Sequence, residues 1–306
     1  MLSAAAPLGR ATFPPLPPAF VADLLSAAAA HGLLPACIAR LRAAGHAIDA
    51  GTERSLLGEA ALALALTAEG DRLLAALADA GIEAKVEKGA AFARALYPGE
   101  LRGFTDIDLL LRREDFAAAG VLLQARGYAS VPFRLKHGTG YGEEKWQRAP
   151  TDPLGPLLVE LHWDMIGSPT LRRGRRCDLE LLRTSTDAED RAQHLLVAAV
   201  HGALGDGFTR LQPLSDLARA LEAPLDVAWL GRRMRDGCLE KPLALALDLA
   251  ARCFGQPTAR EVLRDLGLRR PPAWVRALLT PGLVVAHRGS SGLRRQMVRE
   301  WLKLGA

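Results

Sequence analysis

The sequence predicts an α+β protein, a small mixed β-sheet flanked by N-terminal helices and followed by a C-terminal helical domain. Three observations predict it. Apolar residues recur at helical spacing up to Ala80, short alternating runs and helices interleave between Ile82 and Trp163, and helical spacing returns from Asp187 onward. The 306 residues are 49% hydrophobic and 24% charged, an ordinary globular balance that excludes disordered, collagen-like and coiled-coil classes. That length suits one large or two modest domains with ample core. The expected division is a Pro-rich leader and helices over 1–64, an α/β core over 65–167 and a helical domain over 168–306.

The elements follow in order. Helices are expected over Phe20–Ala30, over Pro35–Ala44, where Pro35 suits a helix start, and over Glu53–Ala80. Ile82–Gly89 alternates like a short strand, and AAFARALYPG reads as a helix stopped by Pro98 and Gly99. DIDLLL, Asp106–Leu111, is a second strand, and Glu114–Arg126 is an amphipathic helix ending at Gly127. YASVPF and LLVELHW, Leu157–Trp163, supply further strand material, and HGTGYGEEKW, His137–Trp146, reads as a glycine-bearing loop or lid. Ser168–Arg183 reads as the junction to the helical half, whose segments include AEDRAQHLLVAAVHGAL and KPLALALDLAARCFG.

Composition narrows the classes further. Cys37, Cys177, Cys238 and Cys253 are scattered with no CxxC pair, so no disulfide framework or zinc ribbon is indicated. No stretch reaches the roughly 18 apolar residues of a membrane span, and the prolines of the leader interrupt any signal-peptide core. A cytoplasmic protein without a membrane partner is expected. The net charge of +5 is mild for this length. The cations are 33 Arg and 6 Lys, and their runs on the late helices read as solvated faces. With no interleaved aromatics, nucleic acid stays possible but unsupported.

The chemistry concentrates in three places. Asp106 and Asp108, two apart on a strand, emerge on one face while Ile107 and Leu109 face the core. Paired carboxylates repel unless a cation sits between them, and Mg²⁺ or Mn²⁺ is the usual occupant. Glu160, on the strand L-L-V-E-L-H-W, joins them if the two strands are neighbours. Lys88 and Gly89 end the first strand where a helix begins, so an ammonium and helix-start N–H groups form an anion pocket.

Strand, glycine turn, helix, acid pair and a third acid on a later strand resemble the DNA-polymerase-β-like nucleotidyltransferase superfamily. The chain resembles, within it, a bacterial family of uncharacterised nucleotidyltransferases. The resemblance runs through KGAAFARALYP (Lys88–Pro98), R-x-x-x-DIDLLL (Arg102–Leu111), L-x-x-x-GY (Leu123–Tyr128) and VELHW (Val159–Trp163). It continues through His201, Arg210, Leu211, Asp216 and Leu217, and covers about Phe20 to Leu221. It implies a nucleotidyltransferase core that moves an NMP group from an NTP to an acceptor hydroxyl, with pyrophosphate leaving. Asp106, Asp108 and Glu160 would be the catalytic, metal-binding carboxylates, and Lys88 and Gly89 the phosphate contacts. Two departures stand out: Ala90 occupies the place of a Ser after the glycine, and Glu160 that of a more frequent Asp.

Other residues have two readings each. Arg102 is a phosphate clamp or a partner of Glu100 or Asp106. His162 shares the face of Glu160 and either orients that carboxylate or accepts a proton, or is a hydrogen-bonded structural histidine. His201, Arg210 and Asp216 are acceptor-side groups or ordinary helix polar residues. A non-catalytic nucleotide- or protein-binding member and a tRNA-directed transferase remain alternatives.

Overall fold

A computed structural model of the chain describes residues 16–132, 140–149, 155–286 and 292–304. The leader over 1–15 and the loop start at His137 lie outside the described residues. Helix α1 (Pro18–Ala30) and α2 (Leu34–Ala43) each carry proline in the first turn, where a missing N–H costs nothing. Helix α3 (Ala50–Asp79) is capped by Asp49, which accepts the Thr52 N–H at 2.9 Å. The boundary expected at residue 64 falls inside α3.

Then come β1 (Ala84–Glu87), α4 (Gly89–Leu96), β2 (Ile107–Leu111), a 3₁₀ turn at Arg113–Asp115 and α5 (Phe116–Ala125). Strands β3 (Tyr128–Val131), β4 (Glu143–Arg148) and β5 (Leu157–His162) complete one sheet of order β1-β2-β5-β4-β3. It is mixed: β2 and β5 run parallel, and the other neighbours are antiparallel. Strand β4 corrects the expectation of a loop through Trp146. Its charged run conceals a period of two, in which Trp146 packs opposite Val159 while Lys145 stands opposite Glu160.

The remaining helices are α6 (Pro169–Arg172), α7 (Asp187–Val200), α8 (Gln212–Ala220), α9 (Val227–Asp236), α10 (Glu240–Phe254), α11 (Pro257–Asp265), α12 (Ala273–Leu278), α13 (Pro281–Val285) and α14 (Gly292–Lys303). A π-helical turn, His201–Asp206, extends α7 and ends at Gly207, whose φ of 64° lies in the left-handed region. No described helix is long and apolar enough to cross a membrane.

The alternation in β2 and β5 sorts side chains between two cores. Ile107, Leu109, Leu111, Val159 and Leu161 pack with Leu66, Leu73 and Leu77 of α3 and with Ala119 and Leu123 of α5. Leu110 faces the other way, into a core shared by α1, α2 and the C-terminal helices. Helices α1 and α2 therefore bury their apolar faces with the C-terminal half. All five residues of β2 are buried, as in a strand covered on both faces. Asp108 is consequently carried into the interior by the apolar residues around it.

Candidate active site

Register creates the centre of the site. Glu87, Asp108, Glu160 and Lys145 stand opposite one another across β1, β2, β5 and β4, and so share one face of the sheet. The neighbour relation required of Asp108 and Glu160 thus holds. His162, two residues beyond Glu160, shares its face. Its Nε2 is 2.9 Å from Asp108 Oδ1 and 3.4 Å from Glu160 Oε2.

Lys88 departs from the alternation of β1. Its backbone takes φ 52°, ψ −132°, a left-handed conformation costing about 1–3 kcal/mol for a residue with a side chain. From there its Nζ reaches Asp108 Oδ1 at 2.5 Å, with both side chains largely buried. The next residue must be small. A Cβ on Gly89 would meet Phe104 at 3.1 Å and the Asp106 carbonyl at 3.3 Å. Ala90 turns into the sheet core.

These contacts set the protonation states. Burial alone would raise the Asp108 carboxyl, but Lys88 and His162 hold it well below the usual carboxylate range. Burial likewise opposes ionisation of Glu160, and its hydrogen bonds to His162 and Lys145 bring it down to about 2. Burial disfavours a charged His162, yet hydrogen bonds to Asp108 and Glu160 hold it up at about 9. Asp106, just ahead of β2, is pushed up to about 6 by burial and by repulsion from Asp108. Burial raises the Glu87 carboxyl as well, and Gln193 donates to it at 2.7 Å.

Donor atoms of Asp108, Glu160 and His162 lie within 4.8 Å of one another, a separation that suits three ligands of one divalent cation. This group contains His162 and omits Asp106, whereas the sequence suggested Asp106, Asp108 and Glu160. Asp106 instead lines, with Asp108, a cavity of about 280 Å³ bordered by Lys88, Gly89, Arg102 and Arg210. A second cavity, of about 400 Å³, opens on the Glu160 and His162 side. Lys88 and His201 line both cavities.

The remaining expected residues fall into two groups. Arg102 pairs neither with Glu100 nor with Asp106: it grips Asp216 through Nε at 2.9 Å and Nη2 at 2.8 Å, all buried. Asp216 also accepts the Tyr97 hydroxyl at 2.7 Å, so this cluster ties α8 to the segment before β2. Arg102 reaches the cavity wall with these two nitrogens already engaged. His201 stands at the entrance of the π-helical turn, and burial, together with nearby Lys88, pushes its imidazole down to about 3. Arg210 is half exposed and 3.9 Å from Asp206.

Residues 18–255 match a family described as uncharacterised nucleotidyltransferase. The chain belongs to this family. No curated protein and no solved structure matches it. Every expected site residue lies within the matched span, whereas α14, on the wall of the second cavity, lies beyond it. Sequence reasoning missed Glu87, and it placed Lys145 in a loop or acceptor-binding strip rather than on a strand beside Glu160. The signal for Lys145 was its alternation with Trp146. Glu87 differs: only its register opposite Asp108 marks it.

Proposed function

We propose that the protein is a divalent-metal-dependent nucleotidyltransferase of the DNA-polymerase-β-like superfamily, acting in a bacterial cytoplasm on an NTP and an acceptor hydroxyl. The observation that carries this reading is the register pairing of Asp108 with Glu160 beside Lys88 and the start of α4, within a nucleotidyltransferase family. Asp108, Glu160 and His162 would hold the cation, with Asp106 beside them. Bound there, Mg²⁺ or Mn²⁺ would supply charge neutralisation for the phosphates. Lys88 and the N–H groups opening α4 hold the phosphates, and Gly89 permits their close approach to the backbone. The buried row of acids fixes the geometry before substrate arrives, which lowers the reorganisation needed at the moment of transfer. Glu160 accepts the proton of the acceptor hydroxyl.

A second reading, metal-independent binding without turnover, is favoured by the pairing of Asp108 with Lys88 and of Glu160 with Lys145. Those pairs balance the carboxylates with no cation added. Titration calorimetry with non-hydrolysable NTP analogues, in Mg²⁺ and in EDTA, on wild type and Asp108→Asn, separates the two. Metal-dependent binding lost in the variant supports transfer. Equal binding in EDTA overturns the metal-dependent reading.

A further inference from the structure

We propose that the second cavity is the acceptor site and that its acceptor is a small hydroxyl compound bearing an anionic group, phosphate or carboxylate, held by Arg299 and Lys303 of α14. The proposal rests on the nucleotidyl-transfer reading and adds the substrate class. The two cavities divide the site by chemistry. The first contains the start of α4, Asp106 and Asp108, the parts suited to a metal-bound triphosphate. The third carboxylate, Glu160, lines only the second, so a hydroxyl that hands its proton to Glu160 must enter from there.

The second cavity is polar in a directed sense. On the sheet side stand Glu143, Glu160, His162 and Lys88, and the facing wall carries Gln296, Arg299 and Lys303, spaced three and four apart on one face of α14. The inner charges offset one another, whereas α14 carries two cations, so an acceptor with one anionic end is held by that end at α14 and its hydroxyl is turned inward. Arg299 is available for this. Its Nη2 holds the neutral Gly205 carbonyl at 3.1 Å, which seats the guanidinium at the cavity wall, and no carboxylate among the described residues pairs with it. Lys303 pairs at 2.7 Å with Glu300, an exposed carboxylate whose contact is worth little and exchanges readily for a ligand. A volume of about 400 Å³ accommodates a small metabolite.

In the step itself the acceptor oxygen forms a bond to the α-phosphorus and the bond from that phosphorus to the α,β-bridging oxygen breaks. Pyrophosphate leaves with the electron pair, and the hydroxyl proton passes to Glu160. Because α14 lies outside the span matched by the family, this acceptor preference belongs to the chain's own C-terminal segment.

The test measures pyrophosphate release with glycerol, glycerol 3-phosphate and glycerate as acceptors, on wild type, Arg299→Ala/Lys303→Ala and Lys303→Glu. Expected is at least a tenfold higher kcat/KM for an anionic acceptor than for glycerol, reduced severalfold or more in both variants through acceptor KM, with nucleotide-analogue affinity within twofold of wild type. The phosphate and carboxylate arms distinguish the two anions. A further arm titrates inorganic phosphate in the presence of saturating nucleotide analogue, or without it if no analogue binds. Phosphate binding weakened in Lys303→Glu supports the site whether or not turnover is found. No preference for anionic acceptors, or a preference or phosphate affinity unchanged in both variants, overturns the proposal. Absence of both nucleotide binding and pyrophosphate release is instead the failure of the transfer reading.

Discussion

Lys88→Met removes one ammonium from the acid row while leaving side-chain length and the left-handed backbone at position 88 nearly as they were. In the wild type Nζ lies 2.5 Å from a carboxylate that is almost wholly buried. Removing one member of a buried pair costs about 3–5 kcal/mol, and here the surviving carboxylate keeps only His162 against its desolvation penalty. For 306 residues at about 2.1 cal/mol/K each, the unfolding entropy is roughly 0.6 kcal/mol/K, so the melting temperature in EDTA should fall by about 5–8 °C. Millimolar Mn²⁺ should then narrow the gap between variant and wild type to less than half, since a cation held by Asp108, Glu160 and His162 replaces the missing charge. Differential scanning fluorimetry in EDTA and in Mn²⁺ makes the measurement. A variant that melts with wild type in EDTA, or a gap as wide in Mn²⁺ as in EDTA, refutes the assignment of Lys88 as counter-charge to a cation site.

Asp106→Asn and Asp108→Asn should each lower pyrophosphate release at least a hundredfold while circular dichroism shows the fold retained; wild-type rates in both would sink the transfer reading. In metal-free buffer, His162, held up at about 9 against 6.5 unfolded, contributes stability that is complete below pH 6.5 and disappears as pH rises through 9. Urea unfolding of the wild type should therefore lose up to about 3 kcal/mol across that window, and His162→Gln should flatten the loss. Asp216→Ala should cost about 3–5 kcal/mol by stranding Arg102, and Arg102→Met/Asp216→Leu should cost less than the sum of its singles. Strict additivity in denaturant unfolding would show that the two do not act as a pair.

Much of this was legible in the chain. DIDLLL and LLVELHW announce buried strands because their apolar residues occupy alternate positions, and that alternation puts Asp108 on the face opposite Leu109 and Glu160 opposite Leu161. Pro35 marks a helix start in the sequence, whereas α1 and α3 begin at Pro18 and Ala50, ahead of the expected Phe20 and Glu53. Strand β4 was concealed because Glu143–Arg148 carries a single buried apolar side chain, Trp146, so its pairing rather than its hydrophobicity makes it a strand.

The sequence by itself determined which faces are apolar and which residue types lie two apart on a strand, since both depend only on local periodicity. Only the tertiary structure decided the partners. Arg102 meets Asp216 across 114 positions, His162 meets Asp108 across 54, and Lys145 stands beside Glu160 by register between antiparallel strands. Such contacts come from sheet order and helix packing, which minimise exposed apolar area over the whole chain and leave no trace in the spacing of the residues they bring together.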